Sequence, residues 1–199
     1  MLKKRSNERY LKALEKAKTV FTWNGIEGNN IITVLHGNQQ NNDISKEYWS
    51  EFIKIDYQIE YLQLFRWGDE GDGPIQLENA ISNIEWDKYS CRILAGFSAG
   101  CNTILRALNE TKVHCDKIIL QSPWIPSFEA EPDEIIKKLI EKKIKVLIIC
   151  GLNDKDCLSQ SLIFESKAKE SGLECQAIFT EGLGHEYPND FIEIVSEFI

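Results

Sequence analysis

The chain has 199 residues, 43% hydrophobic and 27% charged, with a formal net charge of −8. That length suits one α/β domain with a sizeable core, and the acidic balance argues against a nucleic-acid surface. No apolar run approaches the ~18 residues of a membrane span, and the basic start Met1-Leu2-Lys3-Lys4-Arg5 continues into polar residues rather than a signal peptide's apolar stretch.

The chain therefore reads as cytoplasmic, without a membrane or nucleic-acid partner. Its six cysteines, at 91, 101, 115, 150, 157 and 175, fall in or beside apolar runs with no CxxC pair or metal-ligand spacing. Buried free thiols are the expectation, and no metal or cofactor is called for.

Tyr10, Leu11, Leu14 and Ala17 recur at helical spacing among charges, which predicts an amphipathic helix over residues 5–17. It would make residues 1–17 an extra N-terminal helix on one domain spanning 1–199. Thr19 to Trp23 reads as a short strand, and Ile31 to Leu35 as a buried one ending at His36-Gly37-Asn38. Ser45 to Phe52 is a short helix and Tyr57 to Phe65 the next strand. The acidic, glycine-rich loop after it lacks the ligand spacing and closing Glu of a calcium loop, so it reads as a solvated connection.

Ile75 to Ile84 is a helix, and Arg92 to Phe97 a strand that runs directly into Gly96-Phe97-Ser98-Ala99-Gly100 and a further helical pattern. Asp116 to Gln121 is a strand stopped by Ser122-Pro123-Trp124. Glu131 to Lys142 is helical, with Pro132 suited to its first turn. Ile144 to Cys150 is the most hydrophobic strand, and Leu158 to Ser171 a helix closed by Gly172. Cys175 to Thr180 is the last strand and Asp190 to Ile199 a terminal helix.

Strands alternating with helices from residue 31 onward predict a three-layer α/β/α sandwich with a mostly parallel sheet and right-handed crossovers. Functional groups in such sheets gather at the carboxyl ends of the strands. His36, Ser98, Ser122, Asp154 and His185 all fall there.

Gly-x-Ser-x-Gly between a strand and a helix places a serine on a sharp, strained turn with its hydroxyl clear of the chain. Gly96 and Gly100 fit because strand and helix approach closely at that turn. The alternative is an ordinary glycine-rich βα turn, so the remaining parts must come from elsewhere. A neutral imidazole must take the hydroxyl proton, a carboxylate must fix its tautomer, and backbone amides must meet the developing oxyanion.

Three histidines exist. His114 precedes a strand and reads as a surface residue, while His36 reads as a buttress of its own loop. His185, on the loop after the last strand, is the candidate base. Asp154 in Gly151-x-x-Asp is the candidate acid, with Asp156 an alternative whose simpler role is to cap the following helix. The amides of Ala99 and Asn38 are the candidate oxyanion donors. Trp67, Trp124 and Tyr187 sit on strand-end loops and are candidates to line a substrate pocket, or else packing residues.

With these motifs in order, the chain resembles the α/β-hydrolase superfamily, and within it the small lidless esterases of the dienelactone hydrolase and carboxylesterase/phospholipase type. His36-Gly37, Gly96-x-Ser98-x-Gly100, Gly151-x-x-Asp154 and Gly184-His185 carry the resemblance over residues 31–199. It implies a minimal α/β-hydrolase fold, Ser98, Asp154 and His185 as a triad, and Asn38 and Ala99 as oxyanion donors. It also implies hydrolysis of small carboxylic esters or thioesters through an acyl-serine. Dienelactone hydrolase typically has a Cys nucleophile where Ser98 stands, so its substrate is not implied. The Gln121–Glu131 connection is too short for a helical lid. A non-catalytic ligand- or partner-binding protein on the same fold is the alternative.

Overall fold

The computed structural model describes residues 21–23, 27–38, 42–50, 52, 56–64 and 72–199. The predicted N-terminal helix (1–17) and Trp67 lie outside them. Seven strands form one sheet: β1 (Phe21–Trp23), β2 (Asn30–Leu35), β3 (Tyr57–Leu62), β4 (Cys91–Phe97), β5 (Lys117–Gln121), β6 (Lys145–Gly151) and β7 (Cys175–Thr180). Their order is β1-β3-β2-β4-β5-β6-β7, with β2 to β7 parallel and β1 antiparallel against β3 at the edge.

The helices are α1 (Asn42–Trp49), α2 (Gly73–Ser82), α3 (Ala99–Glu110), α4 (Pro126–Ala130), α5 (Pro132–Glu141), α6 (Leu158–Ser171) and α7 (Phe191–Phe198). Alternation along each strand divides them between two faces. Leu94, Ile118, Leu120 and Ile148 meet Leu77, Ile104, Leu105, Ile135 and Phe164 of α2, α3, α5 and α6. Ile93, Ala95, Phe97, Ile119, Leu147 and Ile149 meet Trp49 of α1 and Phe191, Ile194 and Val195 of α7. The three-layer α/β/α expectation holds.

The central strands β4, β5 and β6 are buried nearly throughout because helices cover both faces, which explains their continuous apolar runs. Several boundaries differ from the sequence reading, among them α2, which runs from Gly73 to Ser82 where Ile75 to Ile84 was expected. Helix α1 begins three residues earlier than Ser45, and the 122–131 connection contains the one-turn helix α4. That helix is no lid: Ile125 and Phe128 are fully buried in the core. Among the described residues, no helix is long and apolar enough to cross a membrane.

Candidate active site

Strand β4 delivers Ser98 to the sheet's carboxyl edge. The Ser98 amide donates to the Gln121 carbonyl at 2.9 Å, and the residue holds φ 51° and ψ −120° before α3 starts at Ala99. Space explains the flanking glycines. A Cβ on Gly96 would lie 2.7 Å from the Cys101 nitrogen, and one on Gly100 would lie 2.7 and 2.8 Å from the Leu35 and His36 carbonyl oxygens. The same contact brings the turn after β2, with buried Gly37 and exposed Asn38, against the first turn of α3.

Asp154 follows β6 by three residues, and its side chain is fully buried. Its Oδ1 accepts the amides of Asp156 (3.2 Å) and Cys157 (3.1 Å), just ahead of α6. These donors, at the positive end of a helix, fix the orientation of the carboxylate. Its Oδ2 lies 2.8 Å from Nδ1 of His185. Asp156 is exposed, and the residue at the α6 N-cap is Cys157, with no side-chain capping bond.

The His185 loop is fixed from several strands. The Asn153 amide donates to the Leu183 carbonyl at 2.9 Å, and the Leu152 amide to the Thr180 carbonyl at 2.9 Å. Gly151 permits this closure, because a Cβ there would run into the Leu183 carbonyl and lie 2.6 Å from the Gly184 oxygen. The His185 ring packs against Phe97, the residue before Ser98, with centroids 5.0 Å apart. Bonding of Nδ1–H to Asp154 leaves Nε2 with a free lone pair. Ser98, Asp154 and His185 thus share the carboxyl edge of β4, β6 and β7.

The other histidines are occupied elsewhere. His36 is buried, with Nδ1 donating to the Gly37 carbonyl at 2.8 Å and Nε2 accepting the Leu64 amide at 3.2 Å. Burial pushes its pKa down, so it stays neutral and braces the loop. His114 is exposed at the opposite end of the sheet, with Nε2 2.9 Å from Asp87. Among the pocket candidates, Trp124 is half-buried. Tyr187 is buried between Phe97 and Tyr48, at centroid distances of 4.9 and 4.2 Å, so packing accounts for it.

Two contacts within the site, those of Gln121 and Cys157, are not legible in the sequence. Gln121 is buried at the end of β5, where its Nε2 donates to the Glu186 carbonyl at 2.9 Å and to Ser122 Oγ at 3.1 Å. A polar residue closing the run Lys117-Ile118-Ile119-Leu120 was the available signal. Cys157 Sγ lies 3.6 Å from Nδ1 of His185. Its place three residues after Asp154, just ahead of α6, was the corresponding signal.

This topology is that of an α/β-hydrolase fold, and the chain is similar in structure to small esterases. Among solved structures, an uncharacterized protein from Bacillus cereus ATCC 10987 superposes with a TM-score of 0.78 and 26% identity over 87% of this chain. This chain spans only 60% of that protein's length. Esterase PE8 superposes with a TM-score of 0.68 and 17% identity, covering 86% of this chain and 92% of its own. Acyl-protein thioesterase 2 from Zea mays gives 0.59 and 15%, with 87% and 94% covered. No family model matches the chain, and neither does any curated protein.

Proposed function

We propose that this protein is a serine hydrolase that cleaves small carboxylic esters or thioesters through an acyl-Ser98 intermediate. The observation that carries the reading is the 2.8 Å bond between a fully buried Asp154 carboxylate and His185, beside a serine held at φ 51°.

His185 Nε2 takes the Ser98 hydroxyl proton as Oγ attacks the carbonyl carbon, and Asp154 stabilises the resulting imidazolium. The amides of Ala99 and Asn38 meet the oxyanion, a donor of this kind being worth ~10²–10³ in rate. The imidazolium then protonates the leaving alcohol or thiol. Water, deprotonated by His185 in turn, releases the acid and restores Ser98. The inward tuck of α4 supports a small substrate taken directly from solvent, because Phe128 belongs to the core and no apolar lid is formed there.

A fluorophosphonate probe tests the proposal by mass spectrometry. Stoichiometric labelling of the Ser98 peptide is expected, together with loss of both labelling and p-nitrophenyl acetate hydrolysis in Ser98→Ala. An unlabelled protein that cleaves no ester or thioester would leave the binding-protein alternative standing.

A further inference from the structure

We infer that Asp154, Cys157 and His185 form a binding site for a soft divalent cation of the zinc class, and that filling this site stops turnover. The metal site stands on geometry alone; only its effect on turnover rests on the proposed role of His185.

One ligand atom from each of the three residues lies within 4.8 Å of the other two. They differ in kind: a sulfur, an imidazole nitrogen and a carboxylate oxygen, the donor set of zinc sites. Chain geometry explains the convergence. The Cys157 amide bonds to Asp154 Oδ1 at 3.1 Å, which holds the start of α6 over the carboxylate. The Cys157 thiol then sits 3.6 Å from Nδ1, and Asp154 Oδ2 2.8 Å from the same atom.

Bond lengths of about 2.3 Å to sulfur and 2.0–2.1 Å to nitrogen put the sulfur–nitrogen edge of a tetrahedral zinc site at about 3.6 Å. The observed separation already matches. The nitrogen–oxygen edge would have to open to about 3.4 Å, a small rotation of the half-exposed His185 ring. Water fills the fourth position from the open side of that ring.

Nothing in ester hydrolysis needs the thiol. A neutral imidazole has one proton to donate from Nδ1, and Asp154 Oδ2 is the better-placed acceptor. Occupation by the cation changes where the protons of the thiol and the imidazole reside. Cys157 gives its thiol proton to solvent, Asp154 offers a carboxylate oxygen, and the Nδ1 lone pair binds the metal. The imidazole proton must then reside on Nε2, the atom required to accept the Ser98 proton. The base is thereby blocked.

The test uses cadmium as a spectroscopic stand-in and zinc as the inhibitor, on the full chain, Cys157→Ala and Cys157→Ser. Both variants keep the backbone amide that Asp154 uses, and circular dichroism checks that each folds. We expect one cadmium per chain with a near-ultraviolet thiolate-to-metal charge-transfer band, absent from both variants. Zinc inhibition, scored against each protein's own metal-free rate and reversed by a chelator, should weaken by about 100-fold or more without the thiol. A band that persists unchanged in a folded variant, or no band at all in the parent chain, overturns the site. A Cys157-dependent band with zinc-insensitive hydrolysis overturns the inferred block and counts against His185 as the base, with the metal site intact.

Discussion

Gln121 links the two halves of the site. Its backbone carbonyl accepts the Ser98 amide at 2.9 Å, and its side-chain nitrogen donates to the carbonyl of Glu186, next to His185, at 2.9 Å. Strand β5 therefore sets the elbow and the base loop from a single residue. In Gln121→Leu the main-chain bond survives and the side-chain tie is lost. We expect kcat to fall by about 10–100-fold with KM little changed, since a small displacement of a reacting group is costly. Steady-state kinetics checks this, and an unchanged kcat would remove Gln121 from any positioning role.

Asp154 and Asp156 stand two residues apart but only one meets His185. Asp154→Asn leaves an amide facing Nδ1 and favours the wrong tautomer, so turnover should drop by roughly 10³–10⁴-fold. Asp156→Asn should leave it within about twofold, as expected of an exposed side chain away from the reacting atoms. Comparing kcat for the pair decides it, and comparable losses in both would contradict the assignment.

The cysteine thiols are shielded from the ordinary chemistry of thiolates. Burial pushes up the pKa values of Cys101, Cys115, Cys150, Cys157 and Cys175, that of Cys150 to about 11 and that of Cys175 to about 12. A raised pKa leaves little thiolate at about pH 7.5. Hydrolysis should accordingly survive iodoacetamide. Inactivation by the alkylating agent would point instead to a cysteine nucleophile.

Glu60 lies in β3 opposite Thr33 of β2, and its Oε2 is buried with no hydrogen-bond partner among the described residues. Burial raises its pKa, against a 2.6 Å bond from Gln58 that lowers it. A raised pKa means that the fold favours the protonated acid. Its contribution is fully present below the unfolded-state value and is lost as pH rises through the folded one. At about pH 7.5 the ionised group is a burden, so Glu60→Gln should stabilise by about 1 kcal/mol. Urea denaturation at about pH 7.5 and pH 4 checks this, with the advantage expected to shrink at the lower pH. A destabilised variant at the higher pH would show that the charge has a compensating partner.

The sequence revealed those parts of the site whose chemistry is tied to local pattern. Ser98 was legible because two glycines and a strand-to-helix change of period coincide there. His185 emerged because only three histidines exist. Asp154 was harder to separate from Asp156, since both follow β6 and only the path of a distant loop distinguishes them. The contacts of Gln121 and Cys157 are illegible for that reason: they span 65 and 28 residues of chain, which no local period encodes. Strand β1 was read as a strand, but its antiparallel sense at the edge depends on a pairing with β3 that residues 21–23 alone do not specify.

The backbone of Ser98, at φ 51° and ψ −120°, is a conformation that side chains rarely adopt and that glycine accepts easily. Holding a side chain there costs about 1–3 kcal/mol. Heat resistance and turnover therefore pull this position in opposite directions. A library screened for thermal endurance alone should drift towards Ser98→Gly and lose its chemistry unnoticed, whereas one screened for turnover should keep the hydroxyl and accept a lower melting point. Which residue the survivors carry at that turn would report the pressure they had lived under.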